Sequence, residues 1–138
     1  MTDAHLAPAP VKGGVVPYLS IEGAVKAVEF YKKAFGAEVA MMQPPDDKGR
    51  TMHAHLYING SSVMLSDYYP EHGHPPVAAQ GFNLMILTNT IDADYQRAVD
   101  AGATATQPPA DMFWVDRYGL LKDPFGVTWA MNQGAPQS

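Results

Sequence analysis

Two imidazoles one residue apart, His53 and His55, are the side chains whose type and spacing are best suited to chemistry in this chain. In an extended strand, alternate side chains point the same way and stand about 6.6 Å apart, twice the rise per residue. Such a pair can share a metal ion, or act as an acid–base pair because imidazole titrates near neutral pH. A metal centre needs further donors, and only Tyr57 and Ser66 fall nearby on the same expected face. The plainer reading is two polar side chains on the wet face of an open sheet. His72 and His74 repeat the spacing inside a Pro/Gly-rich linker, where exposure is expected. The chain has no Cys, which excludes disulfides, thiolate nucleophiles and Cys-held zinc or iron–sulfur centres. G-x-S-x-G, G-x-x-x-x-G-K and H-E-x-x-H are also missing.

The elements that must position these groups follow from hydrophobic period and turn chemistry. Val15 to Ile21 reads as a strand, and Ala24, Ala27, Val28, Tyr31 and Phe35 fall at helical spacing before Gly36, which suits a helix stop. Glu38 to Met42 reads as a second strand and Gln43 to Arg50 as a Pro-rich loop. Thr51 to Ile58 and Ser62 to Asp67 form a hairpin closed by Asn59-Gly60. In that hairpin Ile58 opposes Ser61, Leu56 opposes Val63 and Ala54 opposes Leu65, gathering an apolar face for the helix. His53, His55, Tyr57, Ser62, Met64 and Ser66 then share the other face. The second half repeats the order: a strand at Phe82 to Thr88, a helix near Asp92 to Ala101 stopped by Gly102, a short strand and a Pro108-Pro109 loop. A strand around Trp114 to Leu121 and a last one from Val127 to Asn132 complete it.

Sliding the chain by 66 positions lays Phe35-Gly36-Ala37 over Ala101-Gly102-Ala103 and Asn59-Gly60 over Phe125-Gly126. The expected fold class is therefore α+β, two βαβββ modules whose mixed sheets curve into a cup. Module 1 covers about 15–67, the linker about 69–81 and module 2 about 82–132, within one domain at 15–132. Residues 1–14 and 133–138 read as tails. With 138 residues and 46% hydrophobic content the chain can fill one ordinary core. A formal net charge of −5 with scattered Lys and Arg argues against nucleic acid and anionic membranes. No apolar run reaches the roughly 18 residues of a membrane span, so a cytoplasmic location is expected.

Several stretches resemble a PhnB-like protein of the glyoxalase/bleomycin-resistance branch of the vicinal oxygen chelate superfamily. In the first half these are Pro17-Tyr18-Leu19, Ala27-Val28-Glu29-Phe30-Tyr31, Ala34-Phe35-Gly36-Ala37, His53-Ala54 and Met64-Leu65-Ser66-Asp67. In the second they are Arg97 to Thr104, Asp111 to Gly119 and Asp123-Pro124-Phe125-Gly126-Val127-Thr128-Trp129. The resemblance spans roughly 15–132 and implies the doubled fold and a homodimer. It implies no single activity, because the superfamily includes lyases, isomerases, dioxygenases, thiol transferases and metal-free proteins that sequester drugs. Metal-dependent members carry His and Glu ligands on the first and last strands of each module. By the 66-residue offset those positions here are Val16, Met64, Phe82 and Ala130, none able to hold a hard divalent cation. PhnB-like chains commonly have Glu where His55 stands, so this chain also lacks that carboxylate.

The expectation is a cup that binds a small, partly aromatic molecule, with no cofactor. His53 and His55 supply polar contacts, and Tyr18, Tyr57, Met64, Phe82, Trp114 and Tyr118 line the walls. Arg117 reads either as a structural ion pair with Asp116 and Asp123 or as a clamp for a ligand carboxylate or phosphonate. Asp67 reads as a capping or dimer-contact residue. The competing readings are a lyase, isomerase or dioxygenase with a divalent metal relocated to His53 and His55, and a protein-interaction module.

Overall fold

A helix that starts on glycine needs a cap from elsewhere, and the first module is organised around that need. The computed structural model describes residues 9–134. The described chain falls into two compact units, one of residues 9–32 and 36–77, the other of 33–35 and 78–134.

The first unit runs β1 (Tyr18–Ile21), α1 (Ala24–Phe35), β2 (Glu38–Met42), β3 (Ala54–Ile58) and β4 (Ser61–Asp67), the last residues of α1 clustering with the other unit. Its sheet has the order β1-β4-β3-β2, with β1 parallel to β4 and the remaining pairs antiparallel. Gly23, left-handed at φ 91°, precedes α1 and has no side chain to cap it. The buried carboxylate of Asp67 at the end of β4 does so instead, accepting the N–H groups of Gly23 (2.9 Å) and Ala24 (3.1 Å) on Oδ1. Its Oδ2 accepts the N–H of buried Thr51 at 2.8 Å, so one side chain joins helix, strand end and loop. At the other end Gly36 is again left-handed, and Gly36 and Ala37 N–H groups return to the Lys32 and Tyr31 carbonyls, closing the helix as expected.

Because Asp67 reaches α1, the alternate residues Val63 and Leu65 share the helix-facing side, and their partners Leu56 and Ala54 join them. All four are buried, as are Ala24, Ala27, Val28 and Tyr31 of the helix. Asn59 (φ 48°) and Gly60 (φ 80°) supply the two positive φ values of a type I′ turn, and the register Ile58–Ser61, Leu56–Val63, Ala54–Leu65 is the expected one.

The second unit repeats the plan with β5 (Leu84–Leu87), α2 (Ile91–Ala101), β6 (Thr104–Asp111), β7 (Arg117–Lys122) and β8 (Thr128–Gln133), in the order β5-β8-β7-β6. The fold is the expected α+β arrangement of two βαβββ modules, each with a mixed four-stranded sheet. Gln133 closes β8 as Asp67 closes β4, and its Oε1 accepts the Ile91 N–H at 2.9 Å. Both modules thus cap their helix from the last residue of their last strand.

Four expectations need correction. The Pro108-Pro109 segment is not a loop but part of β6, at the sheet edge where a missing N–H costs no ladder bond. Register shifts on either side of Gln107 accommodate it, and Gly119 leaves room: a Cβ there would lie 3.1 Å from both the Gln107 carbonyl oxygen and the Pro109 nitrogen. Trp114 lies in the turn before β7, next to Val115, which has φ 85°. Gln133 is the end of a strand rather than the start of a tail, while residues 1–8 and 135–138 lie outside the described residues. Residues 10–12, expected in a tail, are hydrogen-bonded to the first sheet. No helix among the described residues is long and apolar enough to cross a membrane.

Removing the Asp67 carboxylate leaves three N–H groups without their acceptor, so Asp67→Ala is expected to cost about 2–4 kcal/mol. Gln133→Ala removes one neutral acceptor and should cost about 1 kcal/mol. Urea unfolding of both variants checks the difference, and equal costs would contradict the capping scheme.

Candidate functional site

The face of the first sheet that points away from α1 carries the predicted polar set, built by alternation along three strands. Tyr18 of β1 is paired with Met64 of β4, Met64 with His55 of β3, and Tyr57 with Ser62. Ser66 follows Met64 on the same face, and His53 lies one residue before β3.

His53 stacks on Tyr18, with ring centroids 5.6 Å apart and planes inclined by 30°. The Tyr18 hydroxyl lies 2.8 Å from His53 Nδ1 and 3.5 Å from the Met52 carbonyl oxygen, so Nδ1 is the better acceptor and the ring's free proton sits on Nε2. Tyr18 is 52% exposed. Burial raises its pKa and the Ser66 hydroxyl partly offsets this. His53 is pushed below the usual imidazole value by burial.

His55 is only 3% exposed. Its Nε2 lies 2.7 Å from Ser62 Oγ, and that oxygen accepts the Lys12 N–H at 2.7 Å. With one lone pair taken by Lys12, the Ser62 hydroxyl still has its proton to donate to Nε2, the arrangement in which the His55 proton is on Nδ1. Burial, followed by the proximity of His53, lowers the His55 pKa. Tyr57 sits edge-on to His55 at 5.0 Å, and its hydroxyl donates to the Pro10 carbonyl at 2.7 Å. The Lys12 ammonium stands 4.2 Å from the Tyr57 ring centre.

No group of three or more His, Asp or Glu side chains suited to a metal occurs among the described residues, and one nitrogen of each imidazole already has a hydroxyl partner. The residues level with Met64 and Ala130 on the neighbouring first strands are Tyr18 and Met85, whereas Val16 and Phe82 precede β1 and β5. Val16 stands two residues before Tyr18 and Phe82 three before Met85; the extra residue of that second gap reflects the helices, since α2 has 11 residues to the 12 of α1 and the offset is 67 before the helix and 66 after it. Neither Tyr18 nor Met85 restores a carboxylate or imidazole at these positions.

The remaining candidates belong to the second unit. Tyr118 pairs with Asn132 on the face opposite Gln133, and Trp114 meets its ring edge-on at 5.9 Å. Phe82 is half exposed ahead of β5. Arg117 is on the α2 side, where its guanidinium makes a two-pronged pair with Asp92 (2.8 and 3.2 Å) and a third bond to Asp111 (3.1 Å). It is a structural ion pair, but with these partners rather than Asp116 and Asp123, and it does not share the face of Tyr118. Asp116 accepts from Asn132, and the buried Asp123 accepts the Phe125 and Val127 N–H groups and the Trp129 indole N–H. His72 and His74 are exposed in and after a 3₁₀ turn at Pro70–His72.

No signal in the sequence joins Ser62 to residues 10–12. The alternation places Ser62 opposite Tyr57, but a Pro/Gly-rich segment has no period that would announce its docking.

Residues 19–131 match the model of the Glyoxalase/Bleomycin resistance protein/Dioxygenase superfamily. The uncharacterized protein Rv0887c of Mycobacterium tuberculosis is 40% identical over 129 residues, covering 89% of this chain and 75% of that protein. The crystal structure of protein PA1353 from Pseudomonas aeruginosa is similar with TM-score 0.73 and 28% identity, over 88% of this chain and 98% of that one. A putative 3-demethylubiquinone-9 3-methyltransferase, PhnB protein, from Bacillus cereus shares the fold with TM-score 0.67 and 21% identity, covering 88% of this chain and all (100%) of that one.

The lowered pKa values make a signed prediction. A histidine whose folded-state pKa is depressed favours the neutral form, so its contribution is complete above the unfolded value of 6.5 and is lost as pH falls below it. Unfolding free energy should therefore drop between pH 7.5 and 5, with a smaller drop in a His53→Gln/His55→Gln double variant. An unchanged slope in that variant would contradict the assignment.

Proposed function

The chain belongs to the glyoxalase/bleomycin resistance protein/dioxygenase superfamily, and from that premise we propose that it binds a small, partly aromatic organic molecule on the open face of its first sheet. Binding without a resident metal, for sequestration or metal-free chemistry, is the reading its donor set favours. The observation that carries it is the Tyr18–His53 pair, an accessible, stacked, hydrogen-bonded couple beside Met64 and Ser66.

That pair offers a flat apolar surface together with the His53 Nε2–H and the Tyr18 oxygen, which suits an aromatic ring bearing an acceptor or a hydroxyl. Met64 supplies a polarisable surface that adapts to ring shape. Trp114 and Tyr118 form a second aromatic surface, assigned in this reading to the same ligand class. A homodimer is part of the proposal, supported by the apolar side chains of Met85 and Leu87, exposed on β5 at the edge of its sheet.

A thermal-shift screen with small aromatic alcohols, phenols and amides tests the reading. A hit should lose roughly tenfold in affinity on His53→Ala, the scale of one hydrogen bond plus a stacking contact. Arg117→Ala should lower the melting temperature and leave that affinity unchanged. A ligand indifferent to His53→Ala would count against this face.

A further inference from the structure

Taking that face as the ligand site, we propose that residues 10–12 form a displaceable strap occupying its His55–Tyr57–Ser62 half as an internal stand-in for ligand. The face is divided. Tyr18 at one end is half exposed, while His55 and Ser62 at the other are buried and already paired. The strap completes that pairing. Ser62 and Lys12 exchange two hydrogen bonds, Ser62 N–H to the Lys12 carbonyl at 3.0 Å and Lys12 N–H to Ser62 Oγ at 2.7 Å. Tyr57 binds the Pro10 carbonyl, and the Lys12 ammonium covers the Tyr57 ring.

Yet the strap has no helix or ladder of its own. Residues 9–14 belong to no strand, Lys12, Gly13 and Gly14 are exposed, and the nearest atom to a would-be Cβ on Gly13, at φ 108°, is the carbonyl oxygen of Val15 at 3.8 Å. A few bonds without a packed apolar anchor open at low free energy compared with the β-ladder. Every group it would release is on the site: the Ser62 hydroxyl, the His55 imidazole and the Tyr57 hydroxyl and ring. The strap's own atoms show what this half recognises, namely a carbonyl for Tyr57, an amide N–H and C=O for Ser62, and a cation over the ring. The replacing molecule is thus an extended, amide-bearing cation.

Amide hydrogen exchange on the full chain without ligand tests the strap independently of whether the face binds anything. Met64 N–H, bonded to the Pro17 carbonyl at 3.0 Å on the same strand and side, is the reference. Lys12 and Ser62 amides should exchange at one common rate, on the order of tenfold or more faster than Met64, yet slower than a free peptide. Tyr57→Phe, which releases Pro10, should speed both roughly fivefold and leave Met64 unchanged. Exchange at the Met64 rate would show a permanent strand, exchange at the free-peptide rate would show no docking, and indifference to Tyr57→Phe would remove the tether. Each overturns the strap. For the ligand class, a capped peptide of residues 9–14 is added at about millimolar concentration, the scale of a short tether's effective concentration, to the Lys12→Pro variant. Slowed Ser62 exchange supports it, and unaltered exchange refutes it.

Discussion

The register of the β3–β4 hairpin is the constraint on which the first module depends. A strand has a two-residue period, so a slip of one residue would carry every side chain to the opposite face. Asn59 and Gly60, both at positive φ, hold the two-residue turn, and the pairing that follows sends Ala54, Leu56, Val63 and Leu65 toward the helix. The same register leaves His55, Tyr57, Ser62 and Met64 on the other side. Asp67 reinforces it: its carboxylate reaches Gly23, Ala24 and Thr51 only from the helix-facing side of β4. Core and site are thus two consequences of one pairing.

Duplication then separates architecture from chemistry. The helix-capping position is filled in both modules, by Asp67 and by Gln133, and both helices end on glycine. The open faces diverge. Where the first module places Tyr18 beside Met64 and Met64 beside His55, the second places Met85 beside Ala130 and Ala130 beside Leu120. Hydroxyls and imidazoles therefore gather on one copy, while the other presents an aliphatic strip at the same level. Family membership fixes the scaffold, and this asymmetry is what particularises the chain.

What was legible in the sequence shares a physical basis: it was local. Helical spacing before Gly36 and Gly102, the Asn-Gly turn and the strand alternation each need only a short window. The level of each first strand with its last is a long-range pairing that no short window carries, and the one-residue difference between the two helices shifts the correspondence between modules as well. Arg117 finds its partners away from Asp116 and Asp123, because Asp92 of α2 takes two of its N–H groups, a pairing between residues 25 positions apart. The Pro108-Pro109 segment looked like a loop because proline breaks ladders. At an edge, opposite a glycine, the ladder yields to it instead. The docking of residues 10–12 depends on Ser62 and Tyr57, some fifty positions away, and left no local trace.

Whether the open face is held by hydroxyl–imidazole pairs rather than by an ion is the central issue, and long-range ¹⁵N–¹H spectra of the histidine rings during a zinc titration address it directly. The account predicts His53 protonated on Nε2 and His55 on Nδ1, with both signals unmoved by one equivalent of zinc. Joint displacement of the two rings at that stoichiometry would contradict it.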